Sequence, residues 1–440
     1  MKFSPSVAAV ARDTTQPADR LAWIAALVCM LGLVWTLAGS SRGADLFLLS
    51  AGIVVAARAD RCLHLVMRAP ILWSFPALAA VSTLWSVAPM VTLRAAAELA
   101  LTIGIASLIA GLLRPREFVS AMLVSLLCGA LLSLLFGRYD VDGMSGVIVF
   151  LGIFASKNTM AAFMSFLAIF SVAALADRGQ PPLLRLVAAI SLVLGVVLLL
   201  RAHSVGAVLT TAGALVVLPL TVVFARLAPR ERLLALAGVA AIAVPAALLT
   251  TLLARDGALA ADWSSFLTGD LGKDATLTGR TMLWQAALTE IPKHPFLGIG
   301  YYAFWVPGNL LAEALWRDFG VDGGFSFHDT YLEFAVELGW IGTAVLVLTL
   351  AMAIARPVAL ALADPSWANA ALVAMVFCLV TRTIAEVDAP YPFAEGTFLL
   401  FAAAFYGAEY ANAVRRTVRI APVQPPPRAL LVAEKPCSGA

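Results

Sequence analysis

Apolar runs of about 20 residues, the length a helix needs to cross roughly 30 Å of hydrocarbon, recur through almost the whole chain. One long polar stretch, 255–340, breaks the series. In lipid the backbone has no water to bond to, so each run must close its hydrogen bonds within itself, as a helix. Composition agrees: 61% of the 440 residues are hydrophobic and 13% are charged, too few charges to hydrate the surface of a water-soluble domain. The chain reads as an all-α polytopic membrane protein.

The candidate spans are 21–39, 45–57, 70–86, 96–113, 118–137, 158–176, 183–200, 205–226, 233–254, 331–355, 368–386 and 393–411, about twelve transmembrane helices. The organisation expected is helices 1–9 with short loops over 1–254, a large helical loop over 255–330, helices 10–12 over 331–411 and a tail over 412–440. The first run is read as a retained anchor, because it is too long for a signal peptide and further spans follow. With both termini cytoplasmic, more than half of the 30 Lys and Arg fall on the inner side, most of them in very short loops such as those holding Arg58, Arg61 and Arg68 or Arg114 and Arg116. That asymmetry satisfies the positive-inside rule and turns the 255–330 loop outward, to the periplasm of a bacterial inner membrane. The tail from Pro422, with Pro425, Pro426 and Pro427, is expected to be disordered.

Several function classes fall away. A net charge of +3 with scattered basic residues leaves no nucleic-acid footprint. Cys29, Cys62, Cys128, Cys378 and Cys437 show neither a disulfide framework nor a metal spacing. Asp140-Val141-Asp142 has the DxD spacing of some metal-dependent sugar transferases, but with Gly143 it reads better as a turn. No internal repeat or inverted pair of broken helices marks a secondary transporter.

Charges at the outer ends of spans need a reason, either snorkelling or a substrate site. On that face lie Arg138, Lys157-Asn158, Arg201, His203, Arg280, His328, Arg382, Glu386 and Asp388. Within the loop, Leu283, Trp284, Ala287, Leu288 and Ile291 line one face of a helix that Pro292 stops. Arg280 then sits at a helix N-terminus, either a solvated first-turn arginine or part of an anion site. Ser326-Phe327-His328-Asp329 has the spacing of a capping box, which puts His328 in the first turn of the next helix, as a structural histidine or as a base.

The order Gly279-Arg280-x-x-x-Trp284, Pro295-x-x-Gly298-x-Gly300, His328-Asp329-x-Tyr331-Leu332 and Glu337-Leu338-Gly339 resembles the outer loop of the O-antigen ligase and polysaccharide polymerase superfamily. The resemblance implies a GT-C-type glycosyltransferase fold and transfer of a glycan carried on undecaprenyl pyrophosphate to an acceptor glycan or lipid A-core. It implies no metal and no other cofactor, and a setting among membrane lipids and other polysaccharide-assembly proteins. Carried over by motif, His328 is the general base and Arg280 a pyrophosphate ligand, joined by Arg201 from the turn at 200–204. Lys157, Asn158, Asp329 and Arg382 are supporting residues. Asp329 stands where the family commonly has asparagine, and Lys157-Asn158 is similar to an element of the exopolysaccharide-polymerase branch. The rival readings are a flippase for lipid-linked sugar, which would need charges on its inner half too and has only Glu98 as a prominent one, and a non-catalytic assembly subunit.

Overall fold

A computed structural model describes residues 20–37, 42–57, 69–141, 148–235, 279–321 and 323–420. The described chain is almost entirely helical: α1 (Arg20–Leu37), α2 (Arg42–Ala57), α3 (Ser74–Val81), α4 (Pro89–Leu112), α5 (Pro115–Phe136), α6 (Lys157–Ala176), α7 (Pro182–Arg201), α8 (Val205–Arg226), α9 (Arg280–Glu290), α10 (Leu310–Phe319), α11 (Thr330–Ala363), α12 (Trp367–Arg382) and α13 (Glu395–Ile420). Every expected span overlaps a helical segment, 233–254 only at 233–235, since the rest of that span lies outside the described residues. Among the described residues six helices, α4 to α8 and α11, are long and apolar enough to cross a membrane; the segments Arg20–Trp35, Pro70–Leu84 and Trp367–Arg382 are apolar but shorter. The protein is a multi-pass membrane protein.

The helix starts are written locally. Pro89, Pro115 and Pro182 open α4, α5 and α7, where a missing N–H costs nothing. Ser156 caps α6 by accepting from Thr159 N, and Glu117 reaches back to Arg114 N at the start of α5. The sequence of α6 from Met160 to Phe170 is buried throughout, which makes it the enclosed centre of a bundle with α5, α7, α8 and α12. Glu98 of α4 is paired with Arg94 one turn away at 2.8 Å.

Two features depart from the all-α expectation. Between α5 and α6 the chain forms an antiparallel hairpin, β1 (Arg138–Val141) with β2 (Ile148–Gly152). Asp140 lies on the exposed strand β1, bonding Val141 N, and Asp142 lies outside the described residues.

The other is a break in α11 at Gly339, whose φ of 65° and ψ of −167° are not helical. A break costs the hydrogen bonds from Trp340 N to Val336 O and from Ile341 N to Glu337 O, and within a membrane those four groups need other partners. The segment after α9 supplies them. Ile299 N and Gly300 N donate to Val336 O and Glu337 O at 3.2 and 2.8 Å, while Trp340 N and Ile341 N donate to Pro295 O and Phe296 O at 2.8 and 3.3 Å. This contact needs bare backbone: a Cβ on Gly298 would lie 2.3 Å from the Glu337 carbonyl, and one on Gly339 would lie 2.3 Å from the Phe296 carbonyl carbon. The glycine spacings of the two motifs are thus two halves of one joint.

The loop keeps its own small core over this joint. Leu283, Ala287 and Ile291 of the α9 segment, Ala312, Leu315 and Trp316 of α10, and Phe304 and Phe327 pack on Ala335 and Val336 of α11. The described part of the loop, from Gly279 on, is thereby packed against α11.

Candidate functional site

Asp329, not Ser326, caps α11. Its Oδ1 accepts from Tyr331 N and Leu332 N at 2.8 and 2.9 Å. His328 therefore precedes the helix instead of lying in its first turn, and it takes a left-handed φ of 51°, uncommon for any residue but glycine. The neighbourhood holds it there. Buried Glu333 accepts Phe327 N at 2.7 Å and the Trp305 indole at 2.9 Å, and the Phe327 ring packs on Phe304 and Trp305, which also touch each other. Such strain, about 1–3 kcal/mol, survives where surrounding packing over-determines it and recurs at functional sites.

The imidazole points to Glu386. α12 ends at Arg382, earlier than the expected 386, and the chain turns so that Glu386 N bonds Arg382 O at 2.8 Å. Glu386 Oε1 accepts from Arg280 Nη2 at 2.5 Å and from Asn158 Nδ2 at 2.7 Å, and Oε2 faces His328 Nδ1 at 3.1 Å. Arg280 is the first residue of α9, after Gly279 at φ 79°, and Asn158 stands in the first turn of α6. Ser204, on the turn after α7, donates to Asn158 Oδ1 at 3.1 Å, and Thr330 Oγ1 donates to Glu386 O at 2.7 Å. One carboxylate just beyond α12 thus collects side chains from α6, α9 and the α11 entry.

Electrostatics follow from that crowding. Burial pushes the Glu386 carboxyl up, but the charges of His328, Arg280 and Arg382 outweigh it and hold the group below its ordinary value. An ionised carboxylate can only accept, so His328 Nδ1 carries the proton toward Glu386 and Nε2 is the nitrogen available to another group. The side chains of Arg280, Glu386 and His328 are 16, 13 and 17% exposed, so a ligand can reach them while most of the surrounding water is excluded.

The other expected residues fall around this centre. Lys157 is the first residue of α6, next to Asn158. Arg382 is buried and held by both oxygens of Asp388, with Nη2 also 3.4 Å from Asn158 O. Arg201 is an exposed residue in the last turn of α7 with no side-chain hydrogen bond among the described residues, and the turn that follows it reaches the site through Ser204. Asp329 makes the cap and no contact with the imidazole. Among the described residues no group of three His, Cys, Asp or Glu is placed to hold a metal. Glu386 was visible as one of the outer charges, but its position as the common partner was not; the available signal was an acid among cations just beyond a span.

This set can bind an anion at Arg280 and take up a proton at His328 Nε2, a few ångströms apart across Glu386. A family described as O-antigen ligase matches residues 190–347, which include α9, the α11 joint and His328. The exopolysaccharide production protein ExoQ of Rhizobium meliloti (strain 1021) is 32% identical over 341 residues, 75% of this chain and 75% of that protein. The chain belongs to the O-antigen ligase family. Family membership covers both ends of the loop that meet at Glu386.

Proposed function

We propose that the protein is an inner-membrane glycosyltransferase that moves a glycan from undecaprenyl pyrophosphate to an acceptor sugar hydroxyl at the outer face, in exopolysaccharide synthesis, as a polymerase rather than a ligase to lipid A-core. The observation that carries this reading is the convergence of Arg280 and His328, from opposite ends of the loop, on one partly buried carboxylate. The polymerase choice rests on Lys157-Asn158 beside the site and on the exopolysaccharide role named for the Rhizobium relative.

The chemistry uses these residues directly. The acceptor hydroxyl oxygen attacks the anomeric carbon, its proton passes to His328 Nε2, and the anomeric carbon–phosphate oxygen bond breaks with its electron pair leaving on the pyrophosphate. Arg280 meets that growing charge at a helix N-terminus, where free N–H groups favour an anion, and this reading assigns Arg201, in the last turn of α7 and three residues before Ser204, as a second phosphate ligand. Charge stabilisation comes from arginines, so the reaction proceeds without a metal or nucleotide.

Purified protein given a lipid-linked repeat unit is expected to form glycan chains in the presence of a chelator and without nucleotide. A requirement for divalent metal contradicts the arginine mechanism and returns attention to Asp140-Val141-Asp142. In a deletion strain, single repeats in place of chains support the polymerase, free lipid-linked polymer with bare core indicates the ligase, and lipid-linked repeats stranded at the inner face indicate a flippase.

A further inference from the structure

Glu386 has more partners than an orienting group needs. A carboxylate that only set the histidine tautomer would need one oxygen; here Oε2 serves His328 and Oε1 takes Arg280 and Asn158. Arg280 in turn is only partly used, since its Nε is buried without a hydrogen-bond partner among the described residues. A guanidinium offers a planar fork of donors that fits phosphate oxygens better than a single carboxylate oxygen.

We propose that Glu386 is a shared counter-ion that couples donor binding to the base: the donor pyrophosphate competes with Glu386 for Arg280, and the carboxylate it displaces is left to His328. This rests on the reading of His328 as base and Arg280 as pyrophosphate ligand. Two neutral or spoken-for neighbours make the exchange feasible. Asn158 Nδ2 stays on Oε1 and keeps the carboxylate in place when Arg280 turns away, and Asn158 is itself braced by Ser204. Arg382 cannot substitute for Arg280, because Asp388 occupies it. The charged groups around the carboxylate and the imidazole are then Arg280 from α9, His328 from the α11 entry, and the Arg382–Asp388 pair from the end of α12, with Lys157 at the start of α6, Asp329 turned to its cap and Glu333 of α11 within electrostatic reach of His328.

Competition and activation have opposite signs, and this separates Glu386 from a structural residue. With the anion gone, Arg280 has no internal rival and donor binds more tightly; with the anion gone, the imidazolium formed on proton uptake has no counter-ion in contact with it. In purified Glu386→Gln, which keeps an acceptor oxygen for Asn158, donor KM is expected to fall roughly tenfold while kcat falls roughly 100-fold, and the acidic limb of the rate profile moves to lower pH. Glu386→Asp, which keeps the charge, is expected to return that limb toward its original place. A rise in donor KM together with the fall in kcat overturns the coupling, as does an unmoved acidic limb. If Glu386→Gln does not accumulate in the membrane, the wild type carries the test. Inorganic pyrophosphate must raise the pH midpoint of the His328 imidazole in nitrogen-15 spectra, and an unchanged midpoint overturns the proposal. Activity in His328→Ala would remove the underlying reading; an inactive His328→Ala with KM and kcat worsening together in Glu386→Gln removes the coupling alone.

Discussion

Two arginine–carboxylate pairs stand within a few residues of each other at one end of the bundle, and they are built differently. Arg382 is 3% exposed at its side chain and is gripped by both oxygens of Asp388, six residues beyond the end of the helix that carries it. Arg280 is 16% exposed, comes from a different part of the chain, and shares a single oxygen of Glu386 with Asn158. A closed local pair shapes the chain turn; an open pair shared with a histidine can exchange partners. Placement on the outer face does not separate these arginines, whereas the count of remaining donors does.

The contrast is broken first at Arg382. Arg382→Ala leaves Asp388 buried without its cation, and losses of this kind run to about 3–5 kcal/mol. Thermal unfolding in detergent should therefore shift strongly downward and membrane levels should fall. Arg280→Ala should lower the unfolding temperature less, because His328 and Asn158 remain on Glu386, while transfer falls by roughly 100- to 1,000-fold, the scale of losing one charge-stabilising donor. Equal loss of stability in both variants would erase the distinction. A smaller effect concerns pH. Glu386 is held below its ordinary value because His328, Arg280 and Arg382 outweigh its burial, so its contribution to stability is present above the ordinary glutamate value and is lost as pH falls through the depressed one. Glu386→Gln should accordingly flatten the fall in unfolding temperature on acidification, with no change in slope at neutral pH. The smallest effect belongs to Asp329→Asn. Because Asp329 acts as a cap to Tyr331 and Leu332, asparagine replaces it within about 0.5 kcal/mol and leaves the rate profile in place. A displaced rate profile would put Asp329 back beside the imidazole.

Much of this arrangement was legible before any coordinates. Runs of apolar residues declare helices because lipid leaves the backbone no alternative, and α9 was readable from Leu283, Ala287 and Ile291 with Pro292 as its stop. The loop motifs were visible as spacings, but their reason was not: Gly298 and Gly339 are required by each other, across a contact between segments 40 residues apart in number, and no local propensity encodes that. The Ser326 capping box was a sound local reading that lost to Asp329, which sits closer to the apolar run and satisfies two amides at once. Glu386 escaped because hydropathy extended its helix to 386, while the Arg382–Asp388 pair ends it at Arg382 and swings the carboxylate toward the loop. The hairpin of β1 and β2 was missed for want of alternation in so short a stretch.

The central claim is that transfer takes place at His328, with Glu386 behind it. The most direct measurement is the rate of chain formation from a lipid-linked repeat unit by purified His328→Ala, with its membrane level and unfolding temperature measured alongside. His328→Ala is expected at normal level and stability and forms product at least roughly 100-fold more slowly, as for loss of a general base. Product formed at the wild-type rate by a folded His328→Ala would contradict it.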